Sequence, residues 1–572
     1  MASGVIRSFS GVKPRLDSFM LTPSDAQIAI DCKLLSGALR PLAVALQVLI
    51  PNNQNALESQ ATNAIYRFGQ SVTQNNGQIS DTEYWFTFPQ DVNVVRTSVA
   101  DDVTERTYWT DGVLPKITDN TLALTGGGAN PVYPINYYQL AVPTPVAPPT
   151  VTVQGTVNQT TVEFRTYVYT YVNSFGHESQ PSPPTTVTEV TTGQTVLLTA
   201  FSTAPSGQYD ITAVRIYRSA AGSSGNVVFR LVNTVDIPYP ASTYTDAVLT
   251  VNLSDIVLPS LTWAPPVSNM VGLTDMPNGM LAGFFGKTLC FAAPYYPHAW
   301  PVGYQYQYPY PIVGIAAFGS NLLVCTTGKT YICSGVDPSA MTSQEVDIAA
   351  PGVSKLSMAE VLGGVAYAST EGIAVAGVNG PAILTQAFFT RLEWQYLNPS
   401  SIKGCAVDGY YVGFYDSTPL GSAGAANINA PVKGGFILDL RQELPSFTFI
   451  DFWASAVYRE RQNGYLYFLG ADSTIYKWEG SAPAVYNYTW VSRPFVFHSE
   501  PSIGVFQVHG SHFPVNVTVT VDGNLVGTYT ANSIEPIRID PRRGTEWVFR
   551  FDGNAFINEF LFAETMQELE RL

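Results

Sequence analysis

The chain has 572 residues, of which 46% are hydrophobic, 12% aromatic and only 13% charged. It is too long for one core and too apolar for a disordered chain, which implies roughly three or four folded domains. A net charge of −15, with no Lys/Arg run beyond Arg542-Arg543, excludes a protein that grips nucleic acid through a basic stripe.

Abundant Tyr, Phe, Gly and Pro describe a β-rich chain with many turns, and the sparse charge fits a surface covered by other subunits. The five cysteines, Cys32, Cys290, Cys325, Cys333 and Cys405, are odd in number and never spaced CxxC. That pattern argues for buried thiols and against a disulfide framework or a zinc site. "MASGVIRSFSGVKPR" lacks the apolar core of a signal peptide. No stretch approaches the ~20 apolar residues that span a bilayer. Synthesis in a cytoplasm, without secretion or membrane insertion, is the expectation.

In chain order, "TPSDAQIAIDCKLLSG" is the one helix candidate near the N-terminus. Ser24 or Asp25 would cap it, Ile28, Ile30, Leu34 and Leu35 would form its apolar face, and Gly37 would stop it. From Ile65 the period becomes two, in "AIYRFG", "EYWFTFP", "VNVVRTSVA" and "ERTYWTDG". A first region over 1–145, with a helix and the first strands of a propeller, is expected. Pro-rich "LAVPTPVAPPTVTVQG" marks its end.

Residues 146–262 show short strands, with alternation at Val162, Phe164, Tyr167, Tyr169 and Tyr171. This spacing predicts an inserted sandwich of the immunoglobulin or fibronectin III kind, although the Cys-Trp-Cys core of antibody domains is absent. After the linker "LPSLTWAPP", repeated hairpins run through 263–485. Gly286 and Gly328 each open Gly-Lys-Thr, 42 residues apart. A period near ~40 residues with several strands per unit is the mark of a β-propeller. The last region, 486–572, reads as another β unit that closes or flanks the propeller. It holds a "VDGNLV" hairpin and a short helix after Ala563.

Chemistry finds few anchors. A phosphate loop needs a Gly five residues before Gly-Lys-Thr, where Leu281 and Leu323 stand, and a helix after it. Both copies therefore read as hairpin turns. Of the five histidines, His177, His298, His498, His509 and His512, only His509 and His512 are close in sequence, and they lie on strand and turn, not on a helix face. No Gly-x-Ser-x-Gly elbow occurs. Asp101-Asp102 would point to opposite faces of a strand. "GADSTIYKW" resembles an Asp-box turn but carries Thr474 where that box has Gly. "YYPHAWPVGYQYQYPYP" (295–311) could stack on sugars, though a Tyr-rich loop or interface is the simpler reading. No catalytic, cofactor-binding or metal-binding residue is assigned.

The order of the pieces resembles the tail nozzle proteins (tail tubular protein B type) of short-tailed bacteriophages. "SGVKPRLDSFMLTPSDAQIAIDCKLLSGALRPL" is similar to their opening pattern at Pro14, Arg15, Ala26, Gln27, Cys32, Gly37, Leu39, Arg40 and Pro41. "IYRFG", "YWFTFPQDVNVVRTSVADD", "ERTYWTDGVLPKITD" and "YYQLAVPTP" follow in the family's order. "YVYTYVNSFGHESQPSPP" looks like its inserted sandwich and "YTWVSRPFVF" like its late strand. The resemblance implies a structural virion protein, not an enzyme, that needs no cofactor. It implies a homohexameric ring below the head-to-tail adaptor that docks tail fibres or spikes and passes double-stranded DNA without sequence-specific binding. Its place would be the tail of the virion, after assembly in the host cytoplasm. A net-negative wall would let DNA slide by repelling phosphate. Two other readings are a receptor- or glycan-binding tail protein, and a tail-associated glycan hydrolase.

Overall fold

A computed structural model describes residues 2–34, 37–48, 62–68, 84–99, 102–128, 131–157, 161–221, 227–361, 363–441, 445–461, 463–481 and 483–572. Leu35 and Asp101 lie outside these residues. The protein is mainly β and is built of many small antiparallel sheets.

Seven of these sheets follow one another along the chain. Sheet one pairs Ala64–Phe68 with Tyr84–Phe88. Sheet two is a meander of Asn93–Arg96, Thr107–Thr110, Lys116–Thr118 and Tyr138–Gln139. Sheet three holds Val271–Met276, Met280–Phe285, Thr288–Phe291 and Gln305–Gln307, and sheet four Ile312–Phe318, Asn321–Thr326, Thr330–Ser334 and Thr342–Glu345. Sheet five holds Ala359–Val361, Gly364–Ala368, Ile373–Gly377 and Ala382–Ile383, and sheet six Lys403–Val407, Tyr410–Asp416, Lys433–Asp439 and Ser446–Ile450. Sheet seven takes Ala454–Arg459, Leu466–Gly470 and Ile475–Lys477, and its outer strand is Leu46–Gln47 from the other end of the chain.

From sheet two to sheet seven, the first strand of each sheet packs against the first strand of the next, and that of sheet seven against Ala64–Phe68. Sheets one and two then share a core of Phe68, Phe86, Phe88 and Trp109. The contacts thus return to where they began. Inner strands such as Met280–Phe285, Asn321–Thr326, Gly364–Ala368 and Tyr410–Asp416 are buried along nearly their whole length, so both their faces must be covered by neighbours.

The turns follow local chemistry. Asp408-Gly409 and Asp522-Gly523 both have positive φ at both residues (49° and 80°, 49° and 73°). That is the type I′ geometry which matches strand twist and which Asp-Gly accepts with least strain. The expected "VDGNLV" hairpin is therefore present, between Val515–Val521 and Asn524–Ala531. The short helix expected after Ala563 is Met566–Leu569, with Thr565 accepting from the Glu568 amide.

The helix expected over Ser24–Gly37 is not formed. Ala26–Ile30 and Cys32–Lys33 are strands, and the nearest helical turn is Ser18–Met20. Asp25, expected as a cap, is buried and accepts from the Thr22 amide at 2.9 Å while pairing with Lys13 at 2.9 Å. The reason is tertiary. Ala26–Ile30 lies parallel to Ser446–Ile450 and antiparallel to Tyr488–Ser492. It thereby joins sheet six to the C-terminal strands Glu546–Gly553, Val515–Val521 and Asn524–Ala531 in one ten-stranded sheet. Without it, two interior strand edges would be left bare.

Ser3–Ile6 extends a second C-terminal sheet by pairing with Phe556–Ala563. The core between the two C-terminal sheets includes Phe506, Val517, Trp547, Phe549, Phe560 and Phe562.

Between sheets two and three the chain forms an insert of two facing sheets. One is Thr150–Gln154, Thr195–Thr199 and Thr243–Asp246, and the other Tyr167–Asn173, Ile211–Ala221 and Val227–Leu231. Its core holds Tyr167, Tyr169, Tyr171, Leu198, Val214 and Ile216. The expected alternation holds for the three tyrosines but not for Val162 and Phe164, which are 45% and 66% exposed. Val162–Arg165 pairs separately with Thr188–Thr191. The odd spacing across Thr166 moves its side chains to the other face.

Candidate functional site

The two Gly-Lys-Thr segments are hairpin ends. Gly286, with φ +54°, turns the chain between Met280–Phe285 and Thr288–Phe291. Lys287 Nζ donates to the Pro309 carbonyl at 2.9 Å. In the second copy, Thr326 Oγ1 accepts from the amides of Gly328 and Lys329 (3.2 and 2.9 Å), and Lys329 pairs with Glu345. Neither lysine converges with free amides on a phosphate-sized space.

His509 Nδ1 lies 3.1 Å from Glu559 Oε2, whereas His512 is left-handed (φ 61°) and packs 4.3 Å from the Phe556 ring. The pair is not brought together. Among the described residues, no cluster of three His, Cys, Asp or Glu side chains could hold a metal. Asp102 accepts from the amides of Thr104 and Arg106 and so shapes a turn. Asp472 accepts from the Thr474 amide and the Tyr476 hydroxyl, which closes "GADST" into a structural turn. All five cysteines are free and buried, and burial pushes the Cys290 and Cys405 thiols up to about 12. None is a nucleophile near neutral pH.

Of the cavities among the described residues, two bear on the residues singled out above. The larger, about 770 Å³, runs along the first strands of sheets two to seven. Its wall carries both signs of charge, and two of its cations pair locally: Arg461 with Asp275, and Lys355 with Asp91 at 3.0 Å. The smaller, about 300 Å³, lies where the insert meets sheets two and three.

One wall of the smaller cavity is aromatic. Trp263 comes from the linker, and Tyr295 and Tyr296 come from the Tyr-rich segment. Trp263 and Tyr296 have ring centroids 4.3 Å apart. The rest of that segment disperses: Tyr308 is buried against Tyr331, and Tyr306 donates to the Pro338 carbonyl.

The same wall, where Trp263 meets the His298 ring edge-on at 5.4 Å, continues into His177 and His298, 121 residues apart in sequence yet stacked at 4.2 Å with their planes 14° apart. They are 6% and 3% exposed. His298 Nε2 is 3.1 Å from the Glu178 carbonyl oxygen. A carbonyl only accepts, so Nε2 carries the proton and Nδ1 of the neutral ring is bare. Nδ1 of neither ring has a hydrogen-bond partner among the described residues. Burial holds His298 down at about 4; burial, then the neighbouring His298 and Arg106, holds His177 below the usual histidine range.

In the sequence only His509 and His512 stand close enough to be read together. The only local signal for this site was the concentration of Tyr, Trp and His298 over 295–311. His177 gave none, because the contact is made by folding.

No protein-family model and no curated protein matches the chain. Solved structures similar to it include AztD from Citrobacter koseri, at 11% identity and a TM-score of 0.26, covering 69% of this chain and 99% of that one. Another is an exo-β-1,3-galactanase from Phanerochaete chrysosporium, at 9% identity and a TM-score of 0.18, covering 91% and 99%. PorZ of Porphyromonas gingivalis, described as a surface component of the type-IX secretion system, matches at 11% identity and a TM-score of 0.25, covering 89% and 70%. Likeness at these scores carries no argument about this chain.

Proposed function

We propose that this chain is a structural subunit of a bacteriophage tail nozzle. In this reading the seven small sheets are the blades of one propeller, and the insert is an immunoglobulin- or fibronectin III-like sandwich. The reading rests on the resemblance of the N-terminal segment and is supported by what those residues do. Gln27 Nε2 donates to the Ser492 carbonyl at 2.7 Å, and Arg15 Nη1 to the Gln386 carbonyl at 2.9 Å. Cys32 pairs with Pro41, and Leu39 exchanges backbone hydrogen bonds with Ile557.

A segment spent on sewing together strands hundreds of residues away suits a part that bears load during genome passage. Such a part contributes stiffness. Six copies form the ring under the adaptor, fibres or spikes dock on it, and DNA passes between copies. The single-chain cavity, walled in part by Lys355, Arg459 and Arg461, is not the DNA path. No helix among the described residues is long and apolar enough to cross a membrane.

The experiment is electron microscopy of the purified full-length chain with the head-to-tail adaptor. Sixfold rings stacked on the adaptor are expected. A chain that stays monomeric or trimeric and ignores the adaptor sinks the reading.

A second reading, glycan binding, is favoured by the Trp263–Tyr296 wall, since aromatic faces stack on sugars. Saturation-transfer NMR with host polysaccharide tests it. Signal that disappears in Trp263→Ala supports this reading, and release of reducing ends would extend it to a hydrolase.

A further inference from the structure

The loop after Tyr167–Asn173 is the insert's reach into the body. Phe175 lies against the core shared by sheets two and three, 6.3 Å from the Tyr138 ring. His177 stacks on His298, and the Glu178 carbonyl accepts a hydrogen bond from His298 Nε2–H. The Glu178 carboxylate turns the other way. Oε1 accepts from Thr170 and Tyr217, each at 2.7 Å, and Oε2 from Arg215 at 3.1 Å. Across the joint run these contacts and a backbone hydrogen bond, from the Gln139 amide of sheet two to the Gln208 carbonyl of the insert at 2.6 Å, and the nearest carboxylate is already committed inside the insert.

We infer that the His177–His298 pair is an acid-sensitive latch. With both rings neutral it holds the insert on the body; protonation of either ring frees loop 174–178 and lets the insert swing on its two Pro-rich connections. A proton added to His298 must go to Nδ1, where nothing among the described residues accepts from it. The charged groups around the pair do not help. Arg106, facing from sheet two and paired with Asp102 at 3.9 Å, is a like charge. Arg215 is held by Glu178 and by Asp236 at 2.8 Å. Tyr108, Tyr295, Tyr296 and Trp263, which complete the surroundings, are uncharged.

The sign follows from linkage. A released histidine titrates near 6.5 and the latched rings titrate lower. The latch is therefore at full strength above about pH 6.5 and weakens as the pH falls towards 4. His298 alone shifts the closed-to-open ratio by roughly a hundredfold over that span. The latch does not depend on what the chain assembles into.

Small-angle X-ray scattering of the full-length chain at pH 7.5 and 4.5 tests it, with circular dichroism recorded in parallel. The expected result is an enlarged radius of gyration at pH 4.5 with the strand signal intact, and no enlargement in a His177→Phe/His298→Phe variant, whose rings stack but take no proton. An unchanged wild-type radius, a variant that opens equally, or loss of strand signal at pH 4.5 overturns the latch. Should the double variant not fold, NMR titration of the wild-type imidazoles decides. Two rings titrating near 6.5 overturn it, and two titrating well below support it.

Discussion

The body and the insert solve the same problem in opposite ways. Both are stacks of small sheets that must cover their apolar faces. The insert does so with its own two sheets and anchors them with a buried polar network. Arg218, fully buried, donates to Asp246 at 2.7 Å, and Tyr167 gives its hydroxyl to the same carboxylate at 2.7 Å. The body instead recruits strands from Ser3–Ile6, Ala26–Ile30 and Leu46–Gln47 to finish sheets whose other strands lie beyond residue 400. Local closure makes a unit that can move against its neighbour; closure by distant chain ends makes one that stands or falls together.

Four substitutions sharpen or break this contrast. Trp490 is buried between Phe9 and Phe551, at 5.0 and 5.7 Å, and donates to the Ser10 carbonyl. Trp490→Ala should cost about 3–5 kcal/mol, lowering the calorimetric transition of the body while that of the insert stays put. If both transitions move together, the two regions are not independent. Arg218→Met leaves Asp246 buried with Arg165 as its remaining cation, at 3.5 Å. It should cost about 3 kcal/mol and shift only the transition of the insert.

Asp31 sharpens the contrast through pH. Burial first, with Asp451 adding repulsion against the hydrogen bond from its amide, raises the Asp31 carboxyl to about 6. Its folded pKa thus exceeds its ordinary value, so its ionisation destabilises the body as pH rises from about 4 through 6. Asp31→Asn, at a left-handed position (φ 55°) that Asn tolerates, should stabilise the body by about 1–3 kcal/mol at pH 7 and by little at pH 4. Denaturant melts at both pH values read this, and an equal gain at both contradicts it. The smallest effect belongs to Gly523→Ala. At φ +73° with open space around it, the change should cost about 1 kcal/mol and leave the insert untouched.

Legibility in the sequence tracked the range of the interaction. Both Gly-Lys-Thr turns, the Asp522-Gly523 hairpin and the burial of the thiols were readable because each depends on a few adjacent residues. The segment around Ile28 was misread as helix. Ile28 and Ile30 fit a strand period as well as a helical face, and the strands flanking it lie more than 400 residues away. The phase change at Thr166 was missed because alternation does not announce where one strand ends and a differently facing one begins.

Backbone stereochemistry and the alternation of apolar side chains act between neighbours, so the sequence alone dictated a β-rich chain punctuated by tight turns, together with its low charge. Which strand completes which sheet, and that His177 meets His298, were decided only in three dimensions. Unsatisfied edges and bare faces can be covered by any compatible segment, and only the folded chain shows which one arrives.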